Sequence, residues 1–208
     1  MRIKSVIPLA IIFNLLLISQ GFTSVKNVNP GAYENWGRMI NRLDILRSFK
    51  ITDYSQFIIR DIDTANVQYQ LDGFSEEVKK NLLKQGNRIL INRIKNNPQH
   101  LEMIEGQNGS SGKALILKIS ILEIGVKPGS IWWNPMAWVD IQGELLAPQN
   151  NEVFLKFKTT RTSSVQGVPG GTVIKGLDEE GKKLVISAIE KDFKEIGDDL
   201  NELILSFK

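Results

Sequence analysis

The chain has 208 residues, with 26 Lys and Arg, 23 Asp and Glu, one His and no Cys, and a formal net charge of +3. Hydrophobic residues make up 42% and charged residues 24%, which is a globular composition and excludes wholesale disorder. The missing cysteine excludes disulfides, a thiolate nucleophile, Cys-ligated zinc, iron–sulfur clusters and a lipid-modified N-terminal cysteine, and a single His100 excludes a site built from two imidazoles.

Arg2 and Lys4 open the chain, an apolar run from Val6 to Ile18 follows, broken by Pro8 and Asn14, and then Ser19-Gln20-Gly21. Basic, apolar and small, in that order, is the pattern of a secretory signal. The apolar run is shorter than the roughly 20 residues a spanning helix requires. Residues 1–21 are therefore expected to be removed by a cut before Phe22, which gives a periplasmic or secreted protein without a lipid anchor. An uncleaved N-terminal anchor is the alternative. Arg2 and Lys4 leave with the signal, so the 26 cations fall to 24 against 23 anions. A nearly neutral mature chain lacks the basic face that nucleic-acid binding needs, and no nucleic-acid partner is expected.

Residues 22–50 form a lead-in. Asn29-Pro30-Gly31 signals a turn, and Trp36, Ile40, Leu43 and Leu46 predict a helix within Tyr33 to Phe49. Residues 51–208 read as a single α+β domain. Phe57 to Ile62 is a short strand rich in branched residues, followed by a polar loop. Ser75 with Glu76 and Glu77 starts a helix that runs to about Asn96 before Pro98, with Val78, Leu82, Leu83, Ile89, Leu90 and Ile94 on one stripe. Gly86 inside it costs roughly 1 kcal/mol against Ala, and close packing on a sheet would justify keeping it. Leu101 to Ile104 is a short strand. Ala114 to Val126 is a long one, with Leu115, Leu117, Ile119 and Ile121 opposite Lys118 and Ser120. After the turn Lys127-Pro128-Gly129-Ser130, two alternating strands flank a hairpin at 148–151, one over Trp138 to Ala147 and one starting at Val153. A glycine-bearing loop from Ser163 to Gly181 leads to a final helix near Asp178, with Val185, Ile189, Phe193, Ile196, Leu200 and Ile204 on its stripe. The expected architecture is a mixed, mostly antiparallel sheet of about five strands with two amphipathic helices packed on one face.

Few motifs carry chemistry. Gly106 to Ala114 is no phosphate loop: its glycines are one residue too far apart, Ala114 stands where a hydroxyl would hold magnesium, and a strand follows. Asp61-Ile62-Asp63 with Asp72 has part of a calcium-loop spacing, but Ala65 and Asn66 occupy positions that need an oxygen ligand and a glycine. Strand-end carboxylates are the better reading. There is no Gly-x-Ser-x-Gly elbow, and no residue pair is marked as catalytic, metal-binding or cofactor-binding.

The unusual segment is Ile131-Trp132-Trp133-Asn134-Pro135-Met136-Ala137-Trp138, which holds three of the four tryptophans beside a turn. Tryptophan is a large amphipathic anchor at protein hot spots and at bilayer interfaces. Trp132, Trp133, Pro135, Met136 and Trp138 are therefore the candidate partner-binding residues. Two readings stand: a loop that docks on an envelope protein or a membrane surface, or rings folded back over the sheet end together with Trp36. The loop 166–177 is the second candidate contact surface.

The order of a central strand Ile119 to Val126, the turn Lys127-Pro128-Gly129-Ser130, an irregular stretch and a hairpin strand containing Phe157-Lys158-Thr159-Thr160-Arg161 resembles a family of bacterial envelope proteins known only as a domain of unknown function. Many of its members are lipoproteins. The family is similar in architecture to the N-terminal domain of the Tol–Pal translocation protein and to the α/β part of the curli-secretion lipoprotein. The resemblance covers about residues 50–207. The sequence departs from it in having no lipidation cysteine and in a hairpin that reads Ala147-Pro148-Gln149-Asn150-Asn151 in place of an acid–glycine form. The family implies no catalytic residues. The expectation is an exported, non-enzymatic binding or assembly module that uses no cofactor, with room for a homo-oligomer. A carrier of a lipid or other apolar ligand, and a periplasmic hydrolase using unmarked carboxylates, are the rivals.

Overall fold

The computed structural model describes residues 29–36, 40–96, 102–105, 114–147 and 151–207, with the backbone alone at 102–105. The expected signal at 1–21, the glycine-rich 106–112 segment and His100 lie outside the described residues. Eight strands form one sheet: β1 (Gly31–Trp36), β2 (Ile40–Ile45), β3 (Gln56–Ile59), β4 (Gln68–Gln70), β5 (Glu102–Glu105), β6 (Ala114–Lys127), β7 (Met136–Leu146) and β8 (Val153–Ser164). Their order is β1-β2-β8-β7-β6-β3-β5, and β4 pairs with β6 off that path. The pairs β1–β2, β2–β8, β8–β7 and β7–β6 are antiparallel, while β3 runs parallel to both β5 and β6, and β4 runs parallel to β6. Among the described residues two α-helices join the sheet, α1 (Glu76–Lys95) and α2 (Glu179–Leu205).

The α+β class, the mixed sheet and both helices follow the sequence pattern. Two expectations are corrected. The helix expected within Tyr33 to Phe49 is instead the strand pair β1–β2, held in the sheet by β2 against β8. The apolar spacing there fits a helix stripe, but Leu43 and Ile45 also sit two apart and point into the core, and pairing with Phe157 and Leu155 decides it. The sheet has eight strands where about five were expected. The additions are β1, β2 and the three-residue β4, which lies in the stretch read as a polar loop.

The helix starts are set by local chemistry. Ser75 Oγ accepts from Val78 N at 3.3 Å, and Asp178 Oδ1 accepts from Gly181 N at 2.8 Å, each satisfying a donor that the first turn leaves free. Glu76, Glu77, Glu179 and Glu180 place negative charge at the two positive helix ends. All six expected stripe residues of α2 are buried, and α2 packs on β8, β7 and β6. Full burial of side chains such as Ile189 or Phe193 stabilises by roughly 1.5–3 kcal/mol each.

The opposite sheet face carries charged residues together with a small separate apolar cluster of Ile58, Ala114, Ile116 and Leu146, against which Val153 packs. Register aligns Lys118, Glu144, Lys156 and Asp44 in one row across β6, β7, β8 and β2, so that charge alternates from strand to strand. Lys118 and Glu144 approach to 3.4 Å, and Lys158 and Asp140 to 3.1 Å.

Gly86 keeps its place for a reason other than the sheet. A Cβ there would lie 2.3 Å from the Phe193 ring, so the glycine is a notch in α1 that receives an aromatic of α2. Gly197 of α2 makes the reciprocal notch for Arg93, whose Cβ would lie 2.5 Å from an added methyl. Substituting Gly86→Ala should lower stability by about 1–3 kcal/mol through overpacking, despite the roughly 1 kcal/mol helix-propensity gain. Thermal unfolding followed by circular dichroism checks this. An unchanged or higher Tm would mean that the Phe193 ring gives way freely.

Candidate functional site

The β6–β7 register ends at Lys127 opposite Met136, so residues 128–135 form the connection at that end of the sheet. Its tip is a tight turn. Trp133 N donates to Ser130 O at 3.1 Å, and Trp132 N donates to Ser130 Oγ at 3.3 Å. Two glycines pin it. A Cβ at Gly129 would lie 1.9 Å from Trp133 O, and one at Gly170 would lie 2.1 Å from Ser130 O and 2.8 Å from Trp133 O. Such approaches are open only to glycine. The second candidate loop, 166–177, thus lies directly under the first. Val165 N also donates to Pro135 O at 2.8 Å and ties the end of β8 to the same connection.

This mounting leaves Ile131, Trp132 and Trp133 at 81%, 85% and 74% exposure. Val173, three residues beyond Gly170 and so within about 11 Å of it along the chain, is exposed as well. The five sequence-predicted residues are not equivalent. Trp132 and Trp133 form the exposed tip. Pro135 is buried, and Met136 and Trp138 are half-buried. Trp138 lies across Gly125, its register partner on β6, where a Cβ would fall 2.2 Å from the ring. Its ring covers the strand and stands apart from the tip. Trp36 is elsewhere, edge-on to Tyr33 at 5.1 Å. Consecutive tryptophans after a Pro-Gly-Ser turn were the signal that located the tip. Nothing in the sequence told which of the five residues would fold back.

A second cluster was not foreseen. Thr159, Arg161 and Ser163 alternate along β8 toward α2, which presents Asp192 and Asp199 two turns apart. Arg161 donates from Nε and Nη2 to the two carboxylate oxygens of Asp199. Ser163 Oγ donates to Asp192 Oδ1, while Asp192 Oδ2 is buried with no hydrogen-bond partner among the described residues. Burial pushes the Asp192 carboxyl up to about 7; Glu195 adds to the rise, and Ser163, Lys191 and Arg161 oppose it. Burial also raises Asp199, against the hydrogen bonds of Arg161. The sequence signal was available: two aspartates at seven-residue spacing inside an apolar stripe.

Two surface hollows among the described residues lie elsewhere. One of about 420 Å³ is bounded by Gly167, Pro169, Thr172, Leu177, Asp178 and Leu184 at the start of α2, and one of about 490 Å³ lies over Arg93 and Lys191 between the helices. Neither includes Asp192 or Asp199. Between sheet and α2, the apolar space bordered by Leu117, Leu155, Phe157, Leu200 and Phe207 amounts to about 10 Å³. That is room for no more than one water. Asp63, one of the strand-end carboxylates, accepts from Ala65 N at 3.0 Å and closes a local turn. Among the described residues no group of three or more His, Cys, Asp or Glu could hold a metal ion, and no helix is long and apolar enough to cross a membrane.

Neither a protein-family model nor a curated protein matches the sequence. Solved structures similar to it include the PelC dodecamer from Paraburkholderia phytofirmans (13% identity, 74% of this chain and 96% of that one, TM-score 0.40). Another is protein XCC0632 of family DUF330 from Xanthomonas campestris (13% identity, 73% and 84%, TM-score 0.42). A third is a minor lipoprotein from Acinetobacter baumannii (10% identity, 72% and 94%, TM-score 0.35). XCC0632 bears the name of a domain of unknown function and the Acinetobacter chain that of a lipoprotein, the kinds of protein that the motif order resembles. At such identities and TM-scores the likeness carries no argument about activity, partner or assembly.

The Asp192 carboxyl makes stability depend on pH. The folded chain keeps this proton up to about pH 7, whereas an unfolded aspartate releases it near 3.9. The stabilisation is complete below the unfolded value and drains away as pH rises through 7. The Asp192→Asn variant, which keeps the shape and has no proton to lose, should gain on the wild type from pH 4 to pH 8 by up to a few kcal/mol. Parallel melting curves for the two proteins measure it. A constant difference across that range would show that Asp192 does not bind its proton differently in the folded state.

Proposed function

We propose that the chain is an exported, non-enzymatic binding or assembly module of a bacterial envelope, and that it makes contact through the turn Ile131-Trp132-Trp133. One observation carries this reading: three consecutive large apolar side chains stand at more than 70% exposure on a turn whose backbone is fixed by Ser130, Gly129 and Gly170. Rings meant for the core would be collapsed onto the sheet end, as Trp138 is on Gly125. A fixed turn loses little conformational freedom when it binds, so more of the contact energy remains as affinity. In this reading residues 1–21 are a removable export segment, 51–208 are the functional body, and the lead-in 22–50 contributes β1 and β2 to its sheet.

The rivals have less support. An apolar carrier needs a cavity, and the space between sheet and α2 is about 10 Å³. A hydrolase needs carboxylates that reach substrate, and the buried Asp192 and Asp199 are engaged by Ser163 and Arg161 under α2.

Replacing Trp132 and Trp133 together by Ser should leave the Tm within about 2 °C, because exposed positions rarely change stability by more than about 0.5 kcal/mol. The same variant should lose the envelope contacts that the wild type makes, read by crosslinking in intact cells and mass spectrometry. A drop of about 10 °C or more, as expected for removing core rings, or an unchanged crosslink pattern, would overturn the reading.

A further inference from the structure

We infer that the turn Ile131-Trp132-Trp133 seats in the interfacial layer of a lipid bilayer, so that the chain rests on a membrane surface by this tip; the inference builds on the reading of the same turn as the contact surface.

Three features favour lipid over protein. The first is the state of the backbone. A loop entering a bilayer must bring its own hydrogen-bond partners, because the acyl layer offers none. Here Trp132 N and Trp133 N are both taken by Ser130, and the carbonyl oxygens of Ser130, Ile131 and Trp133 crowd toward Gly170, on the body side of the turn. The side chains of Ile131, Trp132 and Trp133 project outward, each more than 70% exposed.

The second is charge. Residues 124–139 contain no Asp or Glu and one cation, Lys127, and residues 164–177 contain no Asp or Glu and one cation, Lys175. Both lysines are exposed. The β6–β7 connection that bears the tip thus has one positive charge and no carboxylate; carboxylates flank its supports, at Glu123 and Asp140 on the strands, at Asp178, Glu179 and Glu180 where loop 166–177 enters α2, and at Asp72 beside Gly73, which packs on Lys175. Lysine beside an apolar tip can meet lipid phosphates, while a carboxylate would be repelled by them.

The third is shape and residue type. The tip is convex, and its two tryptophans are the side chain most suited to the headgroup boundary, with a flat apolar ring and one N–H donor.

The test uses the protein as recovered from cells and unilamellar vesicles of phosphatidylcholine and phosphatidylglycerol, with and without phosphatidylcholine carrying a doxyl label at the 5 position. Tryptophan emission should shift to the blue on vesicle addition and be quenched by the shallow label. Trp132→Ser with Trp133→Ser should partition about tenfold or more weakly and show no labelled-lipid quenching, with an unchanged circular dichroism spectrum. Absence of both shift and quenching in the wild type overturns the assignment and requires no variant. A photo-reactive group at position 132 separates this from the broader reading. Capture of one protein in intact cells, without quenching by lipid, overturns the bilayer seat and leaves the binding module standing. Neither capture nor quenching overturns both.

Discussion

The burial of α2 on β6, β7 and β8 is the constraint on which the rest of the structure depends. Val185, Ile189, Phe193, Ile196, Leu200 and Ile204 form one face of a 27-residue helix, and all are buried. The same packing buries Leu117, Ile119, Ile141, Leu155 and Phe157 of the sheet. It also sets the place of α1, whose Gly86 accepts the Phe193 ring and whose Arg93 carbonyl accepts from Asn201 Nδ2 at 2.8 Å. A helix so deeply set should carry no charge on its buried side, yet Asp192 and Asp199 are there. Ser163 and Arg161 on β8 reduce the cost, and Asp192 reduces it further by keeping its proton. Unlike apolar contacts, these polar pairs are met only when α2 lies in one register along β8.

The two faces of the sheet differ in what they carry. The helices occupy one side of the sheet. The other carries one row of alternating charge, Lys118, Glu144, Lys156 and Asp44, and a small buried apolar cluster around Ile58, Ile116 and Leu146. The exposed apolar tip lies on neither face but at a strand end, in the β6–β7 connection. There the chain uses its closest backbone approaches, at Gly129 and Gly170, to hold a turn out from the body.

Much of this was legible in the sequence. Alternation in β6, β7 and β8 and the stripes of α1 and α2 gave those elements within a few residues, because each is long enough for its period to be read. The β1–β2 pair was misread, since Trp36, Ile40 and Leu43 satisfy a helical spacing and only long-range pairing to β8 selects the strand. β4 is three residues long and has no period at all. At the site, the Trp-Trp pair was visible by composition, while the fates of Pro135, Met136 and Trp138 depend on what faces them across the sheet. Gly125 decides for Trp138, and that pairing is a matter of register. The Asp192 and Asp199 positions were visible as interruptions of a stripe, but their partners lie about 30 and 40 residues away on β8.

The exposed tip is best understood as a cost the fold accepts locally. Leaving Ile131, Trp132 and Trp133 in water forgoes roughly 1.5–3 kcal/mol for each that burial could return. The chain shows that it can bury such rings, for Trp138 lies on Gly125 only five residues further on. An unconstrained loop could collapse in the same way and recover part of that energy. Collapse is opposed here by the Ser130 hydrogen bonds and by backbone contacts that leave no space for any side chain at positions 129 and 170. The geometry therefore trades stability for a fixed apolar projection. Such a trade gives a compact fold nothing unless a second surface, lipid or protein, completes the burial.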